Sequence, residues 1–123
     1  MEELSTYEEQ IMQILWKNER AVVREILEEL PDPKPPYTTL ASSVKMLEKK
    51  GYVDHRTYGK THDYYPVVTQ EAYRKRSFNH LVKNFFDDSV ENVLSFLVTE
   101  KKISEKEVED LQRLIDGFEN REK

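Results

Sequence analysis

The opening segment of the chain places apolar side chains three or four residues apart, a pattern typical of an amphipathic helix. The side chains that recur at this spacing are Leu4, Tyr7, Ile11, Ile14 and Leu15, with Met12 and Trp16 widening the same face. Ser5 or Thr6 can cap the helix, and Glu8 or Glu9 can act as the reciprocal partner of a capping box. We therefore expect a first helix that begins near residue 5 and buries one face.

A second, shorter helix is predicted over about residues 22–30. Its inward-facing residues are Val22, Ile26, Leu27 and Leu30. Neither Ala21 nor Val22 can accept a capping hydrogen bond through its side chain, so the start of this helix is poorly capped. A proline-rich segment follows, with prolines at Pro31, Pro33, Pro35 and Pro36. It ends the helix and holds the next residues extended.

A third helix is predicted over residues 37–50, beginning near Tyr37 or Thr38. Its inward stripe consists of Leu40, Val44 and Leu47. Gly51 stands where a helix that ends in a left-handed residue needs a glycine. The opposite face carries small, hydroxyl-bearing side chains, which suit a helix that lies close against another surface.

A two-stranded hairpin is predicted directly after this helix, with strands over about 52–58 and 61–67 and a turn at Gly59 and Lys60. Basic residues lie near its tip. A small-faced helix followed by a basic hairpin is typical of the recognition helix and wing of a winged helix-turn-helix. Nucleic acid is therefore the first partner to consider.

From Thr69 onward the apolar spacing is helical again and predicts three more helices. The first carries Tyr73, Phe78, Leu81, Val82, Phe85 and Phe86, and the second carries Val90, Val93, Leu94, Leu97 and Val98. Asp87 or Asp88 is expected to cap the second helix. For the third, Ser104 and Glu107 form a capping box, with Ile103 and Val108 as a hydrophobic staple. The apolar residues of that last helix are Val108, Leu111, Leu114, Ile115 and Phe118.

These three helices carry more large apolar side chains than about 55 residues readily cover, which favours pairing with a second copy. The expected dimer interface consists of Phe78, Leu81, Val82, Phe85, Phe86, Val90, Leu94, Leu97, Leu111, Ile115 and Phe118. The alternative is that the helices pack back on the N-terminal part as a monomeric core. The expected fold is mostly α with one small hairpin, divided into a winged-helix domain at 1–68 and a helical dimerisation domain at 69–123.

Charge distribution modifies this picture, because the chain of 123 residues carries a net charge of −5. Residues 1–30 hold eight acids and three bases, whereas residues 31–68 hold four acids and six bases. Residues 69–123 hold twelve acids and ten bases. The predicted helix and wing are thus the one net-positive part, although an excess of two bases also fits ordinary scatter.

The chain contains no cysteine, which removes disulfides and thiolate metal sites and fits a cytoplasmic protein. The polar N-terminus and the lack of a long apolar run predict neither a signal peptide nor membrane insertion.

Four stretches resemble the BlaI/MecI/CopY family of bacterial transcriptional repressors. They are LSTYEEQIMQILW, YTTLASSVKMLEKKGYV, GKTHDYYPVV, and a C-terminal helical region containing SFNHLVKNFF and NVLSFL. The resemblance covers nearly the whole chain. It implies a homodimer with an N-terminal winged helix and a C-terminal helical dimerisation region, which represses transcription by occupying a palindromic double-stranded DNA operator.

The resemblance also implies how repression ends. In the β-lactam branch of the family, a pathway that starts at a membrane sensor metalloprotease leads to cleavage of an Asn–Phe bond in the dimerisation region. The matching position is Ser95–Phe96, where the Phe is kept and the Asn is not. In the copper branch the metal binds through C-terminal cysteine motifs, and this chain has none.

Seven residues are expected to contact DNA. They are Thr38, Thr39, Ser42, Ser43, Lys45, Arg56 and Lys60, with Lys34 as a weaker candidate. Hydroxyl groups can bond to base edges or phosphates, and the free amides that start the third helix can bind a phosphate. The face lacks an arginine for bidentate guanine contact, so more of the recognition should depend on DNA shape. The alternative for the hydroxyl face is a merely solvated helix surface.

Two other classes of function compete with this interpretation. An enzyme or a metal site could use His55, His62 and Asp63 on the hairpin, but they lack a metal-binding motif and are better explained as polar strand residues facing solvent. We therefore predict no catalytic residue, no metal and no cofactor. A winged helix that binds another protein without sequence-specific DNA binding is the second alternative, which the acidic total charge favours slightly. The sequence does not identify the operator, the regulated genes or the inducing signal.

Overall fold

The computed structural model describes the backbone of residues 3–122 and the side chains of residues 3–114. The elements in chain order are α1 (Thr6–Asn18), α2 (Val23–Glu29), α3 (Tyr37–Lys49), β1 (Val53–Tyr58), β2 (Thr61–Pro66), α4 (Gln70–Phe85), α5 (Val90–Thr99) and α6 (Glu105–Glu122). They form two compact units, Met1–Lys75 and Arg76–Lys123. Within the described residues, no helix is both long enough and apolar enough to cross a membrane.

The N-terminal unit has a core drawn from every one of its elements. The core residues are Ile11, Met12, Leu15, Ala21, Val23, Ile26, Leu30, Leu40, Val44, Leu47, Tyr52, Val53 and Tyr64. The inward stripe predicted for α3 is fully buried at all three positions. Each such aliphatic side chain stabilises the fold by about 1.5–3 kcal/mol relative to its exposed state. On α2, Ile26 is fully buried and Val23 is 8% exposed, whereas Leu27 and the N-cap residue Val22, both expected to face inward, are only partly buried.

The first helix begins as its sequence predicts. The Glu8 N–H donates to Ser5 Oγ at 3.1 Å, and the Ser5 N–H donates to Glu8 Oε1 at 3.0 Å, which completes a capping box. The Glu8 carboxylate also pairs with Lys50 Nζ at 2.9 Å, and both side chains are largely buried. This ion pair joins the start of α1 to the residue that ends α3.

The hairpin is held to the helices by backbone hydrogen bonds. Gly51 has φ +88, the left-handed conformation that a glycine adopts without strain, and the next residue's N–H donates to Leu47 O at 3.0 Å. The two strands pair in antiparallel register, with Val53 opposite Pro66 and Tyr58 opposite Thr61. Strand β2 also pairs with Ala21 through two hydrogen bonds of 2.9 Å. The hairpin is therefore anchored on both sides.

The first turn of α4 packs against the N-terminal unit. Trp16 Nε1 donates to Val68 O at 2.9 Å, and the Tyr73 hydroxyl donates to Glu9 Oε2 at 3.2 Å. The rings of Trp16 and Tyr73 lie 5.6 Å apart between centroids. These contacts explain why the N-terminal unit extends into α4 as far as Lys75.

The C-terminal unit contains the rest of α4, α5 and α6. The predicted capping box before α6 is confirmed, because Glu107 N–H donates to Ser104 Oγ at 3.1 Å and Ser104 N–H donates to Glu107 Oε1 at 3.2 Å. The cap predicted for α5 is wrong. Asp87 and Asp88 have φ values of 52 and 59, and the actual cap is Ser89, whose hydroxyl accepts from Asn92 N–H at 3.1 Å. The two aspartates form a left-handed turn between the helices instead.

Candidate nucleic-acid interface

The outward face of α3 is exposed along its whole length. Thr38 and Ser42 lie on this face one turn apart, and Lys45 follows on the next turn. Thr39 is exposed as well. Because Leu40, Val44 and Leu47 fix the opposite face in the core, the rotation of the helix is set and these polar side chains point outward together.

The start of α3 has free hydrogen-bond donors. Its N-cap is Pro36, which makes no side-chain capping bond. The first amides of a helix have no partner inside the helix and carry the positive end of its dipole. Thr38 and Thr39 thus add backbone donors to the hydroxyls that they present, which suits a phosphate oxygen.

One residue expected on this face lies elsewhere. Ser43 is only partly exposed, and its hydroxyl donates to Thr39 O at 3.1 Å within the helix. It lies on the flank of α3 and not with Ser42 at the centre of the outward face. Two residues that the sequence analysis omitted, Met46 and Lys49, are exposed there. Their spacing from Ser42 by four and seven residues was sufficient to predict this position.

A groove of about 520 Å³ lies between α2, α3 and β2. Three basic residues from three separate elements line it, namely Arg24, Lys45 and Lys60. The other polar residues of its lining are Tyr37, Thr61, His62 and Tyr64, and none of the described residues that line it is acidic. A concave surface lined by one sign of charge concentrates its field, which attracts anions even to an acidic protein. Arg24 was missed from the sequence because it lies on a different helix, and no spacing rule connects it to Lys45.

Arg56 lies on the other face of the hairpin. In the antiparallel register it stands opposite Asp63, and its guanidinium carbon lies 5.7 Å from the centroid of the Tyr65 ring. His62 lies on the α3 side, so alternation along the strand directs its neighbour Asp63 away from α3. The structure therefore brings Lys45 and Lys60 together but leaves Arg56 outside the groove, beside Arg20.

Lys34 is also placed differently from the expectation. Its ammonium donates to the carbonyl oxygens of Leu27, Glu28 and Leu30 at 3.1, 2.9 and 2.6 Å. These carbonyls close the C-terminal end of α2, where Leu27 O also accepts from the Leu30 N–H at 3.3 Å. Lys34 therefore caps the C-terminal end of α2 through its ammonium group.

The three hairpin residues weighed as a metal site do not come together, and Asp63 does not face solvent as expected. Asp63 is only 5% exposed, and its Oδ2 accepts from Arg20 at 2.7 Å on the far face of the hairpin. The rings of His55 and His62 are 4.3 Å apart between centroids on the face toward α3. His55 Nδ1 contacts Glu48 Oε2 of α3, so a carboxylate from another element lies beside the histidines.

The side chains expected at a dimer interface differ widely in exposure. Phe78, Leu81, Phe85 and Val90 are 47, 43, 73 and 56% exposed. Phe86, Leu94, Leu97 and Leu111 are partly exposed, whereas Val82 is only 5% exposed. Ile115 and Phe118 lie outside the residues whose side chains the structure describes. Phe96, next to Ser95, is 48% exposed and lies 5.5 Å from the Phe86 ring.

Comparisons of the sequence and of the structure with known proteins both find bacterial repressors. The profile of the family described as Penicillinase repressor matches residues 4–117. The methicillin resistance regulatory protein MecI of Staphylococcus aureus (strain N315) is 23% identical over 114 residues, which cover 92% of this chain and 93% of that protein. The penicillinase repressor of Bacillus licheniformis is 21% identical over 126 residues, covering 98% and 95%.

Among solved structures, the solution structure of the DNA binding domain of the repressor BlaI is similar with a TM-score of 0.52 and 25% identity. It covers 58% of this chain and 88% of that domain. The complex structure of hsRosR-S4 is similar over 98% of this chain and 94% of its own, with a TM-score of 0.52 and 17% identity, which indicates a shared fold. The predicted mostly helical winged helix-turn-helix fold is thus confirmed.

Proposed function

Because the chain belongs to the penicillinase repressor family, we propose that it represses transcription by binding a palindromic DNA operator as a homodimer. It is a DNA-binding transcriptional repressor. Such a protein acts in the cytoplasm, where bacterial DNA lies, and its action requires no catalysis by the chain itself.

The basic groove beside α3 is the observation that carries this proposal. Arg24, Lys45 and Lys60 converge there, although the whole chain carries a net charge of −5. A basic groove beside a hydroxyl-rich helix favours DNA over a protein partner, because the DNA backbone is uniformly negative. The acidic remainder of the chain repels phosphate and so confines DNA to this surface.

We assign the contacts in two groups. Thr38, Thr39 and Ser42 on the outward face of α3 would contact base edges and adjacent phosphates in the major groove. Lys45, Lys60 and Arg24 would neutralise phosphates on either side. The outward face of α3 carries no arginine, so direct base recognition by one copy should be modest, and DNA shape should contribute more.

Pairing of two copies would supply the missing specificity. The C-terminal unit exposes several large apolar side chains, of which Phe85 is 73% exposed. A two-fold dimer through this surface would place two α3 helices in successive major grooves, about 34–36 Å apart. The operator would then be a palindrome whose half-sites have that spacing.

We also propose that repression ends when the dimerisation region is cut at Ser95–Phe96, after a signal from a membrane sensor metalloprotease. This bond lies within α5, and both of its residues are exposed. A peptide bond in a helix fits a protease only after the helix opens locally. Cleavage should therefore depend on local unwinding of α5, and the induced protein should yield a fragment that ends at Ser95.

The proposal can be tested by gel shift with DNA from upstream of the chain's own operon. We expect saturable binding that weakens steeply as salt rises, because phosphate contacts release counterions. Random DNA of equal length should bind more weakly at the same salt concentration. No saturable binding at low salt would favour a protein-binding winged helix instead.

A further inference from the structure

A cluster of metal-ligating side chains joins α3 to the hairpin. Glu48 comes from the last turns of α3, and Asp54 and His55 come from the start of β1. Each offers one ligand atom, and these three atoms all lie within 4.8 Å of one another. The set combines two carboxylate oxygens with one imidazole nitrogen. None of the three lines the groove at Arg24, Lys45 and Lys60, although His55 packs against His62, which does line it.

The cluster is held in place by the fold around it. Both Glu48 and His55 are roughly one-third exposed, at 31 and 27% of their side chains, so an ion from solvent can reach them. The His55 ring packs against His62 at 4.3 Å and against Tyr64 at 5.4 Å between centroids. Asp54 Oδ1 accepts from the His55 N–H at 2.8 Å, which orients that carboxylate toward the cluster.

The spacing fits a small tetrahedral ion. Zinc binds imidazole nitrogen and carboxylate oxygen at about 2.0–2.2 Å, which sets its ligand atoms roughly 3.4 Å apart. His55 Nδ1 and Glu48 Oε2 are already in contact and would move apart to admit the ion. The other ligand atoms lie within 4.8 Å and would approach by about 1.4 Å at most through side-chain rotation. The mixed nitrogen and oxygen donors favour zinc over magnesium or calcium, which prefer oxygen alone.

We propose that Glu48, Asp54 and His55 bind a zinc ion, with water in the fourth position. The ion would tie the end of the DNA-reading helix to the base of the wing and hold the two at a fixed angle. Zinc would then change the affinity for DNA, a consequence that rests on the proposed function. Zinc binding itself does not depend on it.

The test is a calorimetric titration of zinc chloride into the full-length, untagged chain after treatment with a chelator. We expect one ion per chain with a dissociation constant in the micromolar range or below. Glu48→Gln and His55→Gln should each weaken binding at least tenfold, since either change removes a ligand. Asp54→Asn should also weaken it. Circular dichroism would verify that each variant keeps its helices.

The matched control is His80→Gln, which removes a histidine of α4 far along the chain from the cluster. It should leave zinc affinity unchanged. Thermal unfolding provides a second measurement: zinc should raise the melting temperature of the wild type and of His80→Gln but not that of His55→Gln.

Two results would overturn the site. One is the absence of saturable zinc binding, and the other is binding that survives both Glu48→Gln and His55→Gln. Because the titration contains no DNA, failure of the zinc site and failure of operator binding would be distinguishable. The chain could also bind zinc as expected and yet bind DNA equally well with zinc and with chelator. That result would overturn only the proposed effect of zinc on DNA affinity.

Discussion

At the scale of single residues, the hydroxyl groups on α3 have different roles although their chemistry is nearly the same. Thr38 and Ser42 point outward with no core contact, whereas Ser43 is partly buried and bonds to Thr39 O. The difference comes from rotation about the helix axis, which the buried stripe on the opposite face fixes. Discrimination between DNA sequences should therefore depend on the first two residues and not on the third.

The double substitution Thr38→Ala with Ser42→Ala tests this assignment. It should reduce the ratio of operator affinity to random-DNA affinity, because hydroxyl contacts to bases are lost while the phosphate contacts remain. Each mismatched base pair in a DNA site typically costs about 1–3 kcal/mol of binding free energy. We expect the double variant to lose a similar amount of discrimination at each base pair that these hydroxyls contact. Competition binding with fluorescently labelled operator and random duplexes would measure the ratio.

Ser43→Ala is the matched control, since it removes the same chemical group from the same helix. It should leave the ratio unchanged. A fall in the ratio with Ser43→Ala as large as with the double substitution would show that the outward face is wrongly assigned. Equal loss of operator and random-DNA affinity in the double variant would also refute base recognition by Thr38 and Ser42.

Lys60 at the wing tip should act through its charge alone. Lys60→Ala should weaken binding to all DNA sequences alike and reduce the slope of log affinity against log salt by about one unit. Affinity measured at several salt concentrations gives that slope. Lys106→Ala removes an exposed lysine of α6 and should leave it unchanged. An unaltered slope in Lys60→Ala would eliminate the phosphate contact.

The residue scale also shows the limit of sequence analysis. Thr38, Ser42 and Lys45 were predictable because one helix and its apolar stripe determine their position. Asp63 was not, because its burial depends on Arg20, which lies more than forty residues earlier and meets it only in the folded chain. The capping role of Lys34 was not predictable either, because its carbonyl partners on α2 come close only in the folded chain.

At the scale of elements, helix boundaries follow from local sequence wherever a cap is strong. Ser5 and Glu8 start α1, and Ser104 and Glu107 start α6, both through complete capping boxes. The start of α5 was mispredicted because aspartates and serines are almost equally good caps. The turn between α4 and α5 needs two left-handed residues, and Asp87 and Asp88 adopt that conformation, which leaves Ser89 as the cap.

The ion pair between Glu8 and Lys50 makes the attachment of α3 to α1 dependent on pH. Burial alone would raise the pKa of the Glu8 carboxyl, but hydrogen bonds from Lys50 and Ser5 outweigh it, and the net pKa lies below its ordinary value of 4.5. A carboxyl whose pKa is lowered by folding stabilises the fold above its unfolded pKa, and that contribution is lost as pH falls through the folded pKa. The free energy of unfolding should thus decline below about pH 4.5.

Glu8→Gln should remove this part of the pH dependence and lower stability near neutral pH by about 1–3 kcal/mol, because Lys50 loses its charged partner. Urea unfolding between neutral pH and pH 3 measures both effects. Glu28→Gln changes an exposed carboxylate on α2 and should keep the wild-type profile. If the Glu8→Gln profile ran parallel to that of the wild type, the ion pair would not be the source of the pH dependence.

At the scale of the whole molecule, the sequence predicted the winged helix because its pattern is local and its order is distinctive. Helix, glycine, strand, turn and strand follow one another without interruption from Tyr37 to Pro66. The basic groove was only partly predictable. Its residue Arg24 comes from α2, and the packing that brings α2 against α3 is not encoded in any single segment.

The exposed apolar side chains of the C-terminal unit should serve dimerisation. Phe85→Glu should convert the dimer to a monomer, because a buried charge at an apolar interface costs far more than the lost contact alone. Sedimentation equilibrium would show the change in mass. Lys83→Glu adds an acid two residues away on the same helix and should leave the dimer intact. A Phe85→Glu protein that remained dimeric would contradict the assigned interface.

Two copies of the chain should place α3 and its basic groove on a palindromic operator, and hydroxyl-radical footprinting of the upstream DNA would reveal that arrangement. We predict two protected patches related by two-fold symmetry, with centres about one helical turn apart, roughly 34–36 Å. Phe85→Glu should abolish the paired pattern at the same protein concentration. A single asymmetric patch, or uniform protection without boundaries, would contradict the account.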